Sequence, residues 1–318
     1  MDTKLQLIDI PTKSRKVFSH FINECNKYYR SGHDLKLYRD IIRFHRETKD
    51  IDLLIGDNRF LKLLYDTLEK WNMNQRAAEL TSFGQFAESI IYFKPQFKEL
   101  YEYELSCLED QLRFNVFKLL HDTFTHLKVM ESKRRIVGVS KTLHFLLPDL
   151  VMPIDSKYTM TYFYGYNKYS KVPEKEFKSY QEIFDKTHKI VRELNLTKDD
   201  VKGGGWNTSV PKLIDNSIIG FTRVFVSYYD IFGEDTVKKF MALLEQLTAI
   251  TPNEKKHFEH LLAKEKNNLD KVKRKKVMQE LLIEKATKAG ITVSEEEIGD
   301  WLEEKERIQS RKSKLRRD

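Results

Sequence analysis

The stretch Lys133–Gly165, KRRIVGVSKTLHFLLPDLVMPIDSKYTMTYFYG, decides how the rest of the chain is read. It opens on a short basic turn, Lys133 to Gly138, and continues into an apolar run, Ser140 to Leu147, that predicts a helix. Pro148 lacks the N–H that a helix interior needs, so the helix stops there. Pro153 biases Met152 toward extended backbone, which makes Leu150–Ile154 a stiff connector delivering Asp155 to the start of a second, aromatic helix. A carboxylate in that position has an ordinary use: its oxygens accept from the free N–H groups of the first turn, and its charge suits the helix dipole. The residues alone leave open whether Asp155 also carries chemistry.

Outward from this stretch, composition bounds the fold. The chain has 318 residues, enough for one large or two medium domains with a proper core. Only 12 residues are Gly and 7 are Pro, whereas 33% are charged. That balance favours many long helices over a turn-rich β fold, and the expected class is all-α. No apolar run reaches the ~20 residues that span a bilayer, and the first residues lack the pattern of a secretory signal, so the expectation is a cytoplasmic protein without membrane contact. Cys25 and Cys107 fall on apolar helix faces without a CxxC spacing and read as buried thiols. A net charge of +8 hints at a polyanionic partner, but 56 basic residues stand against 48 acidic ones, so most of the charge is mixed surface.

Taken in order, Val17, Phe18, Phe21, Ile22, Cys25, Tyr28 and Tyr29 recur at helical spacing. Leu37–Glu47 and Arg59–Trp71 repeat the pattern, and Gln75–Phe93 predicts a further helix that ends before Pro95. Phe97 to about Leu127 exceeds the usual globular length and predicts two helices, with a break near Asp110 or Asn115. Tyr166–Phe177, interrupted by Pro173, reads as a loop whose Lys168, Tyr169 and Lys171 are candidate phosphate contacts. Helices are expected again over Ser179–Leu194 and, with Pro211 in the first turn, over Ser209–Tyr229. Between them Gly203, Gly204 and Gly205 precede Trp206; no GK[ST] or GxGxxG spacing accompanies them, so they predict a flexible loop and no phosphate-binding loop. A last helix of the body is expected over Thr236–Leu247. From Thr251 the composition turns strongly charged, and the last sixty-odd residues hold roughly half of the net positive charge. Residues 1–250 therefore read as a core domain and 251–318 as a basic helical C-terminal extension. His257 and His260 lie one turn apart without a third ligand, so no metal site and no cofactor are expected.

The central stretch resembles, over about a tenth of the chain, the hairpin-plus-aspartate signature of the helix-hairpin-helix DNA glycosylase superfamily, in which a GVGxKTA-type hairpin opens a helix and a VDTHV-type segment follows. Gly138 and Val139 match the hairpin turn, Lys141 and Thr142 the lysine and its neighbour, and Asp155 with Ser156 the Asp-Thr pair. KLIDNSIIGF, Lys212 to Phe221, is similar to a late helix of bacterial hairpin-type proteins whose central segment reads SKxLHFLxPxxxxPIDS. IVG stands where the family has LPG, the second hairpin glycine is replaced, and the interval from Lys141 to Asp155 is shorter than the family's. The resemblance implies an all-α glycosylase-like body that binds duplex DNA, with phosphate contacts at Gly138, Val139 and Ser140 and neighbouring cations at Arg134, Arg135 and Lys157. It implies catalysis by Asp155, with Lys141 as a second catalytic candidate.

The residue types suit that chemistry. Breaking a base-to-sugar bond builds positive charge on the sugar, which a carboxylate stabilises while orienting or deprotonating water. A lysine of lowered pKa would instead attack the sugar carbon and form a Schiff base, with strand cleavage to follow. A surface lysine at a helix start is the plain alternative for Lys141. A base taken out of the stack needs an aromatic pocket, for which Tyr158, Phe163, Tyr164 and Trp206 are candidates, although such aromatics are more often core. His144 reads as a satisfied interior histidine. Two other readings stay open: a non-catalytic helical DNA-binding module, since a fold does not establish activity, and a helical protein-interaction protein.

Overall fold

The structure, a computed structural model, describes residues 11–232 apart from 13, 30–32, 75–77, 133, 165–169, 171 and 203. The chain divides into two units, Met1–Tyr228 with Val237–Ile250 and Tyr229–Thr236 with Thr251–Asp318, and the site described below lies in the first. The helix expected over Thr236–Leu247, the C-terminal extension, the His257/His260 pair and the candidate phosphate contacts Lys168, Tyr169 and Lys171 lie outside the described residues.

The described fold is helical: α1 (Arg15–Tyr28), α2 (His33–Thr48), α3 (Ile51–Gly56), α4 (Asn58–Lys70), α5 (Phe83–Tyr92), α6 (Lys94–Tyr101), α7 (Asp110–His126), α8 (Ile136–Leu146), α9 (Thr159–Tyr164), α10 (Pro173–Leu194) and α11 (Val210–Phe232), with a 3-10 turn at Lys198–Asp200. Extended pairing among the described residues is limited to one antiparallel bridge, Leu80 to Met130. Helix starts follow local chemistry. Ser14, Asp50, Asp57 and Ser82 each accept from the first turn of the helix they precede. α2 packs on α3 and α4, α7 on α6 and α10, and α8 touches both α4 and α10.

α8 is the central helix. Of its eleven residues only Val137 is not buried, and the polar ones, Ser140, Lys141, Thr142 and His144, are taken inside with the apolar majority. It begins at Ile136, so the turn expected at Lys133–Gly138 is displaced and Gly138 and Val139 lie within helix. Gly138 packs under Met130: a Cβ on it would sit 2.2 Å from Met130 Sδ, so the flexible Met130 side chain would have to shift. The helix expected over Gln75–Phe93 is shorter, because Leu80 is engaged in the bridge and Ser82 starts α5. Pro173 occupies the first turn of α10, where its missing N–H costs nothing, so the helix opens inside the expected loop. The break in the Phe97–Leu127 run falls at residues 102–109, before Asp110.

Three buried histidines tie helices to neighbouring backbone. His45 Nε2 donates to Phe145 O (2.8 Å), His188 Nε2 to Leu108 O (2.8 Å) and His144 Nδ1 to Val151 O (2.6 Å). Burial holds His45 down to about 4 and His144 down to about 3, so both stay neutral when the unfolded chain has begun to protonate its own imidazoles. A base whose folded pKa is depressed contributes stability that is lost as pH falls below the unfolded value near 6.5. Stability should therefore drop by about 1.4 kcal/mol per pH unit for each of these two rings below pH ~6. Denaturant melts at pH 6.5, 5.5 and 4.5 measure it, and equal midpoints would show that these rings are not buried in their neutral form.

α11 approaches α1 at Gly220, where an added Cβ would lie 1.9 Å from the Phe21 carbonyl oxygen, a backbone atom that cannot swing aside. Gly84, in the first turn of α5, has open space around it. Gly220→Ala should accordingly cost about 3 kcal/mol or more through overpacking. Gly84→Ala should be neutral or stabilising by up to about 1 kcal/mol. Paired thermal melts of the two variants test the helix contact directly.

Candidate active site

The site is built by α8 and the connector that folds back along it. Ser140 and His144 lie one helical turn apart. Ser140 Oγ accepts from Ile154 N at 3.1 Å while His144 Nδ1 holds Val151 O, so the connector runs back along α8 and returns Asp155 to the level of Lys141. His144 is fixed from its other side: its Nε2 accepts from the Tyr38 hydroxyl (2.8 Å), whose oxygen accepts from Thr208 (2.6 Å). It is a satisfied interior histidine.

Asp155 uses its two oxygens differently. Oδ1 accepts from Lys157 N (2.7 Å) and Tyr158 N (3.1 Å), which is a cap on the turn leading to α9. Oδ2 faces Lys141, with Nζ at 3.8 Å, an ion-pair separation longer than a hydrogen bond. The Lys141 side chain is 7% exposed and that of Asp155 31%. Burial pushes the Lys141 ammonium below the usual lysine range, against the upward pull of Asp155 and Asp215. Its Nζ also lies 5.5 Å from the Trp71 ring centroid.

A second pair stands beside the first. Lys212 and Asp215, one turn apart on α11, are both buried and in direct contact. Burial raises the Asp215 carboxyl above its ordinary range, and Lys212 opposes that rise. The Lys212 ammonium sits among three rings, 5.2 Å from Trp206, 5.7 Å from Trp71 and 6.0 Å from Tyr38. Ring faces carry negative charge, so this cage partly replaces the water that a buried ammonium loses. Cys25, next to the pair, has its thiol pushed up to about 12 by burial and is no nucleophile.

Both pairs line one open cleft of about 580 Å³. Its polar floor is Lys141, Asp155, Lys212, Asp215 and Asn216; Trp71, Trp206, Tyr29 and Tyr158 supply aromatic surface, and Arg134 and Lys157 stand on its lining as further cations. Tyr158 is held by Tyr29 (3.0 Å between hydroxyl oxygens) and by Arg223 (3.2 Å). Trp206 is held by its indole N–H, which donates to Tyr29 O at 2.9 Å.

Several expected roles change. Val139 and Ser140 are fully buried, so neither reaches a phosphate; Ser140 holds the connector instead. Gly138 lies in helix under Met130 and lines the cleft without forming a hairpin turn. Arg135 donates to the carbonyls of Phe124, Thr125 and Leu127 at 2.8–3.0 Å, closing the C-terminus of α7, and its guanidinium is committed there. Phe163 and Tyr164 are buried away from the cleft, and the Tyr164 hydroxyl donates to Ser179 O and Glu182. Cys107 is exposed. Gly204 and Gly205, expected in a flexible loop, form a turn with φ of +68° and +67° that is tied down by neighbouring side chains. Lys212, Asp215 and Trp71 had no role assigned from sequence, although a Lys–Asp pair inside the apolar run VPKLIDNSIIGF is a legible anomaly.

Among the described residues no group of three His, Cys, Asp or Glu side chains is placed to hold a metal ion. No described helix is long and apolar enough to cross a membrane. No family model matches the chain, nor does any curated protein or solved structure.

A lysine kept dry for structure alone and a lysine kept dry for chemistry differ in what removal does. Buried ionic groups are often less stabilising than apolar ones of the same shape, and Asp155 retains two backbone partners without Lys141. Lys141→Met should therefore raise stability at pH 7 by about 1 kcal/mol. Because the folded pKa of Lys141 lies below its unfolded value, wild-type stability gains from this group as pH rises through that folded pKa toward 10.5, and the variant should lack the gain. Urea melts from pH 7 to 10 measure both effects; a loss of stability in the variant would make the lysine a structural strut.

Proposed function

We propose that the protein is a DNA N-glycosylase that hydrolyses the bond between a damaged or modified base and its sugar, with Asp155 as the catalytic carboxylate. One observation carries the reading: a buried lysine of lowered pKa and a half-exposed aspartate, 3.8 Å apart, share the floor of an aromatic-lined cleft. The size of the cleft is within the range of small-ligand sites. Trp71, Trp206 and Tyr158 offer faces on which an extruded base would stack. The helical class, the α7–α8–connector order and the return of Asp155 to Lys141 support a glycosylase-like body of the helix-hairpin-helix kind, although the nine residues between α7 and α8 make a longer connection than a tight hairpin.

In the hydrolytic route the C1′–N bond breaks with its electron pair leaving on the base, and positive charge grows on the sugar. Asp155 Oδ2 opposes that charge and accepts a proton from the water whose oxygen bonds to C1′. Oδ1, held by two N–H groups, fixes the carboxylate without taking part. A second route is favoured by the burial of Lys141: its neutral amine attacks C1′ as the base leaves with the electron pair of the C1′–N bond, a proton passes from the nitrogen to Asp155, and the C1′–O4′ bond then breaks to a Schiff base as Asp155 returns that proton to O4′.

The deciding substitution is Asp155→Asn, which preserves shape and capping oxygen but removes the charge. Base release from a panel of modified duplexes should fall by roughly two or more orders of magnitude with an unchanged melting temperature. Full activity would leave Asp155 as a helix cap and favour a non-catalytic DNA-binding role. Lys141→Ala with borohydride trapping separates the routes: retained base release means hydrolysis, and loss of both release and trapped adduct means the amine is the nucleophile.

A further inference from the structure

A second feature adjoins the cleft without belonging to it. One face of α2 carries Lys36, Arg39, Arg43 and Arg46, all exposed. At 3.6 residues per turn these four fall within an arc of about 80° and extend over about 15 Å of helix. They line a groove of about 680 Å³ whose opposite wall is the Gly204–Gly205 turn with Asn207 and Thr208. One carboxylate, Asp40, shares the groove and pairs with Arg43 at 3.0 Å; Arg43 also lies 3.9 Å from Glu47. Among the described residues no carboxylate lies within ion-pair distance of Lys36 or Arg46, although Arg46 acts at longer range on Asp149. The groove thus keeps an excess of positive charge, arranged linearly.

The turn links groove and cleft. Arg39 Nε donates to Gly205 O (3.3 Å) from the groove side, while the next residue, Trp206, donates its backbone N–H to Asn26 (3.3 Å) and turns its indole into the cleft. Two successive left-handed residues are required here, which only glycine adopts readily. At Gly204 a side chain would also point at the Arg39 guanidinium, 3.7 Å away. The backbone therefore passes directly from the basic groove to an aromatic wall of the candidate active site.

We infer that the α2 groove is a track for one phosphodiester strand of duplex DNA, seating the backbone beside the nucleotide whose base enters the cleft. This rests on the proposed nucleic-acid function for its partner, but its evidence is the separate charge geometry of α2. One strand presents a phosphate every 3.4 Å of duplex axis and winds obliquely round that axis, so at most about four phosphates pass along 15 Å of groove. The row of four cations is enough to meet them. Side chains that only meet phosphates position a duplex without reading its sequence, so recognition of the base stays with the cleft.

The test compares the full-length protein with the triple variant Lys36→Gln/Arg43→Gln/Arg46→Gln. Arg39 is spared because it also ties the glycine turn. Lys62→Gln/Lys98→Gln/Lys189→Gln, three exposed lysines on α4, α6 and α10, serves as the charge-matched control. Binding of an unmodified fluorescent duplex is titrated from ~50 to 200 mM salt, with melting curves to establish that each variant folds. The triple variant should lose about two to three units from the slope of log affinity against log salt, and tenfold or more in affinity, while the control keeps the wild-type slope. Base release by the triple variant should show a raised KM with kcat retained. An unchanged slope in the triple variant, with the wild type binding duplex, overturns the groove and leaves the proposed activity standing. Duplex binding through the groove without base release from any modified duplex supports the groove and overturns the activity. Wild-type protein that ignores duplex, or prefers an acidic peptide, overturns both.

Discussion

Two hydrogen bonds from one face of α8 set the geometry on which the rest of the site depends. Ser140 and His144, four residues apart, take hold of Ile154 N and Val151 O, three residues apart in the connector. A helix turn rises 5.4 Å and extended backbone advances over 3 Å per residue, so two grips are enough to fix a connector's direction. Pro148 and Pro153 remove alternatives at either end. Asp155 then arrives opposite Lys141, the residue beside Ser140. The network continues outward through Tyr38 and Thr208, which brings α2 and the segment before α11 into the same arrangement.

This arrangement places four ionisable groups where an ordinary core would be apolar. Lys141, Lys212, Asp155 and Asp215 are balanced in charge, yet burial drives the Lys141 amine and the Asp215 carboxyl toward their neutral forms. Keeping buried charge is costly even when it is paired, and folds rarely accumulate it without a use. The aromatic cage around Lys212 offsets part of that cost and, at the same time, supplies the walls of the cleft. The pair on α11 has Trp206 directly against it, so the glycine turn stands between the groove on α2 and the cage around the buried ion pair.

The charge on the chain is therefore better understood by location than by sum. The basic residues beside α8 serve unlike ends: Arg135 closes the C-terminus of α7, whereas Arg134 and Lys157 stand on the cleft. On α2, by contrast, cations recur at the spacing of one helix face and line a groove, with Arg43 paired to Asp40 and Arg39 tied to the glycine turn.

Helical class, most helix positions and the delivery of Asp155 by a proline-stiffened connector follow from the sequence, because hydrophobic periodicity and proline chemistry act within a few residues. The cap formed by Asp155 was legible for the same reason, since its partners are two and three residues away. The start of α8 was not. Glycine and a basic run suggest a turn locally, whereas in the folded chain Gly138 lies inside the helix, packed under Met130. Likewise Arg135 reads as a free cation until α7 ends beside it, and Phe163 and Tyr164 read as pocket aromatics until burial takes them elsewhere. The meeting of Lys141 with Asp155, of Lys212 with Trp71, and of the α2 cations with the Gly204–Gly205 turn joins residues 14 to 169 positions apart. Sequence periodicity assigns each to a face, but which faces meet is decided by how the helices bury their apolar stripes together.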